Sequence, residues 1–192
     1  MIDYRKSIYY GRTALNILCF GDSNTFGYDP RSFLGSRYEK PWPQILAEWS
    51  GWFVQNQGEN GREIPRRQVN FSKDIHLLII MLGTNDLLQG NSVEITARKM
   101  EVFLRGIDLE KSKLLLIGPP SMRLGEWISA QSIVEASREL VYAYSELSRR
   151  LGIRFLNADD WDISLAFDGV HFTEEGHRVF ASAIYQYLNK GD

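Results

Sequence analysis

Short runs rich in apolar, β-branched and aromatic residues recur at 17–20, 52–56, 77–82, 114–117 and 153–156, and the third and fourth are apolar on both faces. A strand with no polar face must be covered on both sides, which suits a sheet sandwiched between helices. Segments with helical spacing lie between and after these runs, at 43–49, 93–107, 133–151 and 173–188. In the last of them Val179, Phe180, Ala183, Ile184, Tyr187 and Leu188 repeat at three and four residues, Thr173 is placed to cap it, and Glu174 and Glu175 fall in its first turn. Strands alternating with helices require right-handed crossovers and hence parallel pairing. The expected fold is therefore α/β: a three-layer α/β/α sandwich around a five-stranded parallel sheet of order 2-1-3-4-5. Residues 1–15 fit none of this and are read as an N-terminal arm, either loose or a contact for a second copy, so that self-association stays open; residues 16–192 are read as one domain.

At 192 residues the chain is long enough to bury a core without disulfides or a structural metal. Its single cysteine, Cys19, lies in an apolar run and reads as a small buried hydrophobe. A net charge of −2 with no long block of either sign argues against a nucleic-acid footprint or a polybasic membrane-binding face. The longest apolar run, 77–82, is far too short to span a bilayer. Arg5 and Lys6 are followed by Ser7-Ile8-Tyr9-Tyr10-Gly11-Arg12 rather than by an apolar stretch, so a cytoplasmic location is expected.

In a parallel sheet, ligands meet the loops that leave the carboxyl ends of the strands. After the first run comes Gly21-Asp22-Ser23-Asn24-Thr25-Phe26-Gly27, where Ser23 is either a nucleophile or a helix cap. After the second comes Gly58-Glu59-Asn60-Gly61-Arg62, a tight turn whose backbone N–H groups can approach a ligand, or a plain loop. After the third comes Gly83-Thr84-Asn85-Asp86, in which the Asn85 amide is a second donor or a turn former. Ahead of the last helix, Asp168-Gly169-Val170-His171 puts a carboxylate three residues before an imidazole, a spacing that lets the acid orient the ring and leaves the other ring nitrogen to take a proton. Each signal is modest alone; four in strand order are not.

These four blocks resemble those of the SGNH hydrolases, also called GDSL esterases/lipases, over about residues 17–188. Segments 17–23, 79–86 and 171–174 look most like the arylesterase and acyltransferase-like subgroup. The resemblance implies a serine esterase acting on a small ester and needing no cofactor or metal. By position it implies that Ser23 is the nucleophile, His171 the general base and then acid, and Asp168 the residue that orients it. It also implies an oxyanion hole formed by the backbone N–H groups of Ser23 and Gly61 and the side chain of Asn85.

Asp22 and Asp86 read as carboxylates that brace loop N–H groups. Arg62 is a candidate substrate-pocket residue or the partner of a surface acid. Trp127, in the loop after the fourth strand, is a candidate pocket wall or an aromatic packed on its own domain, and residues 28–43 offer a second wall. His177 reads as a solvated or capping imidazole, and His76 carries no signal. Two rival functions remain. Asp168, His171, Glu174 and His177 crowd four metal-ligating side chains into ten residues, although no His-Glu-x-x-His spacing accompanies them. A non-catalytic flavodoxin-like binding module is the other, but no glycine-rich phosphate loop supports it.

Overall fold

The computed structural model describes residues 14–32 and 34–190. The expected arm therefore lies outside the described residues except for Ala14 and Leu15. Leu15 already belongs to the domain: its carbonyl accepts the Phe53 N–H at 2.9 Å, and its side chain packs on the core.

Five parallel strands form one sheet in the order β2-β1-β3-β4-β5: β1 (Asn16–Gly21), β2 (Phe53–Gly58), β3 (Leu77–Met81), β4 (Leu114–Gly118) and β5 (Arg154–Asn157). The helices are α1 (Ser23–Phe26), α2 (Trp42–Ser50), α3 (Thr84–Leu88), α4 (Val93–Arg105), α5 (Gln131–Leu151) and α6 (Glu174–Asn189). The doubly apolar pattern of β3 has a direct reason. Leu77, Ile79 and Met81 point into a core shared with α2 and α6, whereas Leu78 and Ile80 point into a core shared with α3, α4 and α5. Ile17 lies in register with both Val54 and Leu77, so β1 and β3 form the covered centre. β2 is an edge, with Phe53 exposed. Among the described residues no helix is long and apolar enough to cross a membrane.

Thr173 caps α6 by accepting the Gly176 N–H at 3.0 Å, with Glu174 and Glu175 in the first turn facing the positive end of the helix dipole. Helices α1 and α3 are single turns directly behind β1 and β3. At four and five residues they are too short to carry an amphipathic period, so hydrophobic spacing does not register them.

His177 departs from expectation. It is buried rather than solvated, its ring packs against Tyr38 and Phe172, and its Nδ1 accepts the Trp42 N–H at 3.4 Å, tying α6 to α2. Burial, reinforced by the nearby His171, lowers its pKa to about 3. Between pH ~6.5 and ~3 the unfolded chain therefore takes up a proton that the folded chain refuses. This group's contribution to stability, on the order of 5 kcal/mol at most, is present above that window and is lost as the pH falls through it. Thermal unfolding followed between about pH 7 and about pH 4 should show a smaller acid-induced loss of Tm in His177→Gln than in the wild type. Equal losses in the two proteins would refute this account.

Candidate active site

The site is assembled at the carboxyl edge of the sheet from three strand-end loops and the loop before α6. Where β1 ends, Asp22 caps α1 by accepting the Asn24 N–H at 3.0 Å. The capping role weighed for Ser23 thus belongs to its neighbour, and Ser23 occupies the first turn, among the N–H groups that have no partner within the helix. Asp22 is buried, and its Oδ2 has no partner among the described residues. Burial pushes its carboxyl up to about 6, against the pull of the Asn24 N–H and of the nearby His171 ring and Arg62 guanidinium.

His171 comes to this serine from 148 positions away. Its Nε2 lies 2.9 Å from Ser23 Oγ, and its Nδ1 lies 2.6 Å from Asp168 Oδ2. A carboxylate only accepts, so Nδ1 carries the proton and Nε2 is left to accept from the serine hydroxyl. The other Asp168 oxygen accepts the N–H groups of Val170 at 2.9 Å and His171 at 3.0 Å. Burial alone would raise the Asp168 carboxyl; the hydrogen bonds from the His171 ring and from the His171 and Val170 N–H groups outweigh it and hold the group below its usual range.

Two further contacts fix this loop. Asn24 reaches across to it, donating from Nδ2 to the Val170 carbonyl at 3.0 Å and accepting the Phe172 N–H on Oδ1 at 2.9 Å. On its outer side the segment after β4 docks on it, with the N–H groups of Arg123, Glu126 and Trp127 donating to the carbonyls of Gly169, Phe167 and Asp168. Gly169 has φ +81°, and a Cβ there would stand 2.0 Å from the Arg123 carbonyl oxygen, so no other residue fits.

Gly61 and Asn85 face the same space. Gly61 has open space around it, so it is its φ of +73°, in a turn closed by the Arg62 N–H to the Glu59 carbonyl, that favours glycine. Asn85 donates from Nδ2 to the Arg62 carbonyl at 3.1 Å, which aims the amide and leaves its second N–H unengaged among the described residues. Asp86 braces this region as expected: Oδ2 accepts the Ile64 N–H at 2.9 Å, and Oδ1 pairs with Lys99 at 2.8 Å.

A cavity of about 240 Å³ opens here, lined by Ser23, Tyr28, Asn60, Gly61, Asn85, Leu88, Trp127, Val170 and His171. Tyr28 and Trp127 stand on either loop beside the imidazole, with ring centroids 4.6 and 5.1 Å from it. Trp127 is 53% exposed, so it is a wall of the cavity rather than an aromatic buried in its own domain. Of the two readings of Arg62, the structure favours the partner of a surface acid over the pocket residue. Its guanidinium is turned under the loop, donating to the carbonyls of Gly21 and Gln57, pairing with Glu59, and lying 4.3 Å over the Phe20 ring. Asn24 is a site residue that the local sequence does not announce. Its place beside Ser23 was visible, but nothing local announces partners 146 and 148 positions away.

The four residues of the metal-centre reading do not converge. Asp168 and His171 are bonded to each other, Glu174 is exposed near Arg178, and His177 is buried against Trp42. Among the described residues no group of three or more His, Cys, Asp or Glu side chains is arranged to hold a metal ion.

Residues 19–179 match the GDSL-like Lipase/Acylhydrolase family. Solved structures with the same fold include an aryl esterase of M. smegmatis, 23% identical with a TM-score of 0.78, covering 92% of this chain and 99% of its own. A carbohydrate acetylesterase from Sinorhizobium meliloti is 24% identical with a TM-score of 0.77 and the same coverage, 92% and 99%. A lipolytic protein of the G-D-S-L family from Veillonella parvula DSM 2008 is 20% identical with a TM-score of 0.71, covering 92% and 100%. No curated protein matches the chain.

The placement of Arg62 sets a test. A residue that ties the β1 and β2 loop carbonyls together should act on stability, because each hydrogen bond to a charged group is worth about 1.5–3 kcal/mol. Arg62→Met is expected to lower the Tm by several degrees while KM stays within about twofold of wild type. A large rise in KM at unchanged Tm would instead mean that the guanidinium touches the substrate.

Proposed function

Because the chain belongs to the GDSL-like lipase/acylhydrolase family, the SGNH hydrolases, and is a carboxylic-ester hydrolase, we propose that it cleaves small esters through an acyl-serine intermediate on Ser23. The observation that carries this reading is the continuous line from Ser23 Oγ through both nitrogens of His171 to Asp168, with separations of 2.9 and 2.6 Å, at the floor of an open cavity.

A serine hydroxyl is a poor nucleophile at neutral pH, so it needs a base in contact and an anion behind that base. Ser23 Oγ attacks the ester carbonyl carbon while His171 Nε2 takes its proton. Asp168 remains ionised and stabilises the imidazolium. Negative charge develops on the carbonyl oxygen and is met by the N–H groups of Ser23 and Gly61 and by the unengaged N–H of Asn85, each worth about 3–4 kcal/mol in such a site. Collapse expels the alcohol with the proton from His171. Water then attacks the acyl-serine, its proton passing to the same nitrogen, which returns it to Ser23 Oγ as the acyl–oxygen bond breaks and the carboxylic acid leaves. An alcohol that enters through the same open mouth competes with that water and gives a new ester.

The cavity, at about 240 Å³, lies below the range of about 300–1,000 Å³ found for drug-sized ligands. That size supports a short acyl group, with Leu88 and Val170 as apolar walls and the Tyr28 and Trp127 rings beside the leaving alcohol.

Ser23→Ala or His171→Ala should lower kcat by roughly 10⁴–10⁶, and Asn85→Ala by about 10²–10³, in folded protein. Turnover of an aryl acetate by each variant measures this, and wild-type turnover by Ser23→Ala would end the proposal. On a series of aryl esters of growing acyl length, kcat/KM is expected to fall as the chain outgrows the cavity. A steady rise with chain length would contradict the short-acyl reading.

A further inference from the structure

We propose that Asn24 is a positioning residue, whose side-chain amide holds the His171 loop at reacting distance from Ser23. The inference rests on the serine-esterase reading above and adds a residue to it.

The two halves of the site rest on different supports. Ser23 follows directly from a central strand, whereas His171 sits on a loop with no strand of the sheet under it. Its ring has to be held by other means, because a displacement of about 1 Å between reacting groups can cost on the order of 10²-fold in rate. Asn24 is buried, and it bonds the residues on both sides of His171, taking the Phe172 N–H and giving an N–H to the Val170 carbonyl. These partners fix the orientation of the amide, since one of them can only donate and the other can only accept. Among side chains of this size, asparagine alone offers a donor and an acceptor in one plane. The result imitates a short piece of strand pairing, made by a side chain where the sheet provides no neighbour.

The remaining backbone groups around the base are also engaged. The Val170 and His171 N–H groups go to Asp168, and the His171 carbonyl accepts the Ala166 N–H at 2.7 Å. Of these anchors, only Asn24 ties the loop to the element that carries the nucleophile. It does so from the adjacent residue, so that movement of one is passed to the other.

The test compares wild type, Ser23→Ala, Asn24→Leu and Asn24→Asp for aryl acetate turnover, for the rate at which a serine-directed organophosphonate labels the protein, and for thermal unfolding. In Asn24→Leu, kcat is expected to fall about 10–100-fold with KM within about twofold, and labelling to slow by the same factor, at temperatures where the variant is folded. Asn24→Asp keeps an acceptor for Phe172. When ionised it presents a second acceptor to the Val170 carbonyl, and only its protonated form regains a donor. The groups near this position are Asp22 in its own loop, Asp168 and His171 in the loop before α6, and Arg62, whose charge reaches Asp22. They are present in both proteins, so the ratio of variant to wild-type kcat at each pH reports the substituted side chain. Position 24 is buried, which pushes a carboxyl placed there upward, so that ratio is expected to rise as the pH falls from about 8 to about 5. A lowered Tm with unchanged kcat in Asn24→Leu would overturn the proposal and leave Asn24 a structural clamp. If Asn24→Leu fails to fold, a flat ratio for Asn24→Asp overturns the proposal and a rising one supports it. Turnover or labelling retained by Ser23→Ala is a separate failure, which removes the esterase reading itself.

Discussion

A parallel sheet delivers the carboxyl ends of all its strands to one edge, and the 2.9 Å separation between Ser23 and His171 depends on that. The order β2-β1-β3-β4-β5 puts β1 at the crevice where the crossovers diverge, with the loop ends of β2 and β3 on either side of it. Ser23, Gly61 and Asn85 are brought together by strand pairing itself. Asp168 and His171 are not, and their loop is instead suspended between Asn24 on the inside and residues 123–127 on the outside. Half of the site is held by the sheet and half by hydrogen bonds to backbone.

Two buried carboxylates flank the imidazole, and their surroundings drive them apart. Asp168 receives three N–H donors and is held in its ionised form. Asp22 receives one on a single oxygen, and burial pushes it up to about 6. Neither side chain meets solvent, but Asp22 is the more deeply enclosed and the backbone aims fewer donors at it. Of the two, only Asp168 touches the imidazole, at Nδ1.

Much of this architecture could be read before any coordinates. The strand runs at 77–82 and 114–117 were legible because doubly apolar stretches of that length have few other uses, and α6 was legible from the cap at Thr173. Where the reading fell short, the reason is locality. Helices α1 and α3 are too short for periodicity to register. Arg62 follows a candidate donor glycine and could be read as a substrate ligand or as the partner of a surface acid, because which way a guanidinium turns depends on carbonyls at Gly21 and Gln57 that only the fold brings near. His177 occupies a face of α6 that packs on α2, and charge composition gives no warning that an imidazole is enclosed there. Asn24 is the extreme case, since both of its partners lie in the opposite third of the chain.

Tyr28 and Trp127 reach the imidazole from two connecting segments, not from the strands that carry the sheet. Insertions or exchanges at either tip can reshape the vestibule without passing through β1 or β3. The same catalytic floor can therefore be inherited intact while the clientele changes. Divergence in this lineage has its cheapest route through the two aromatic bearers, and a designer wanting a new substrate would begin there.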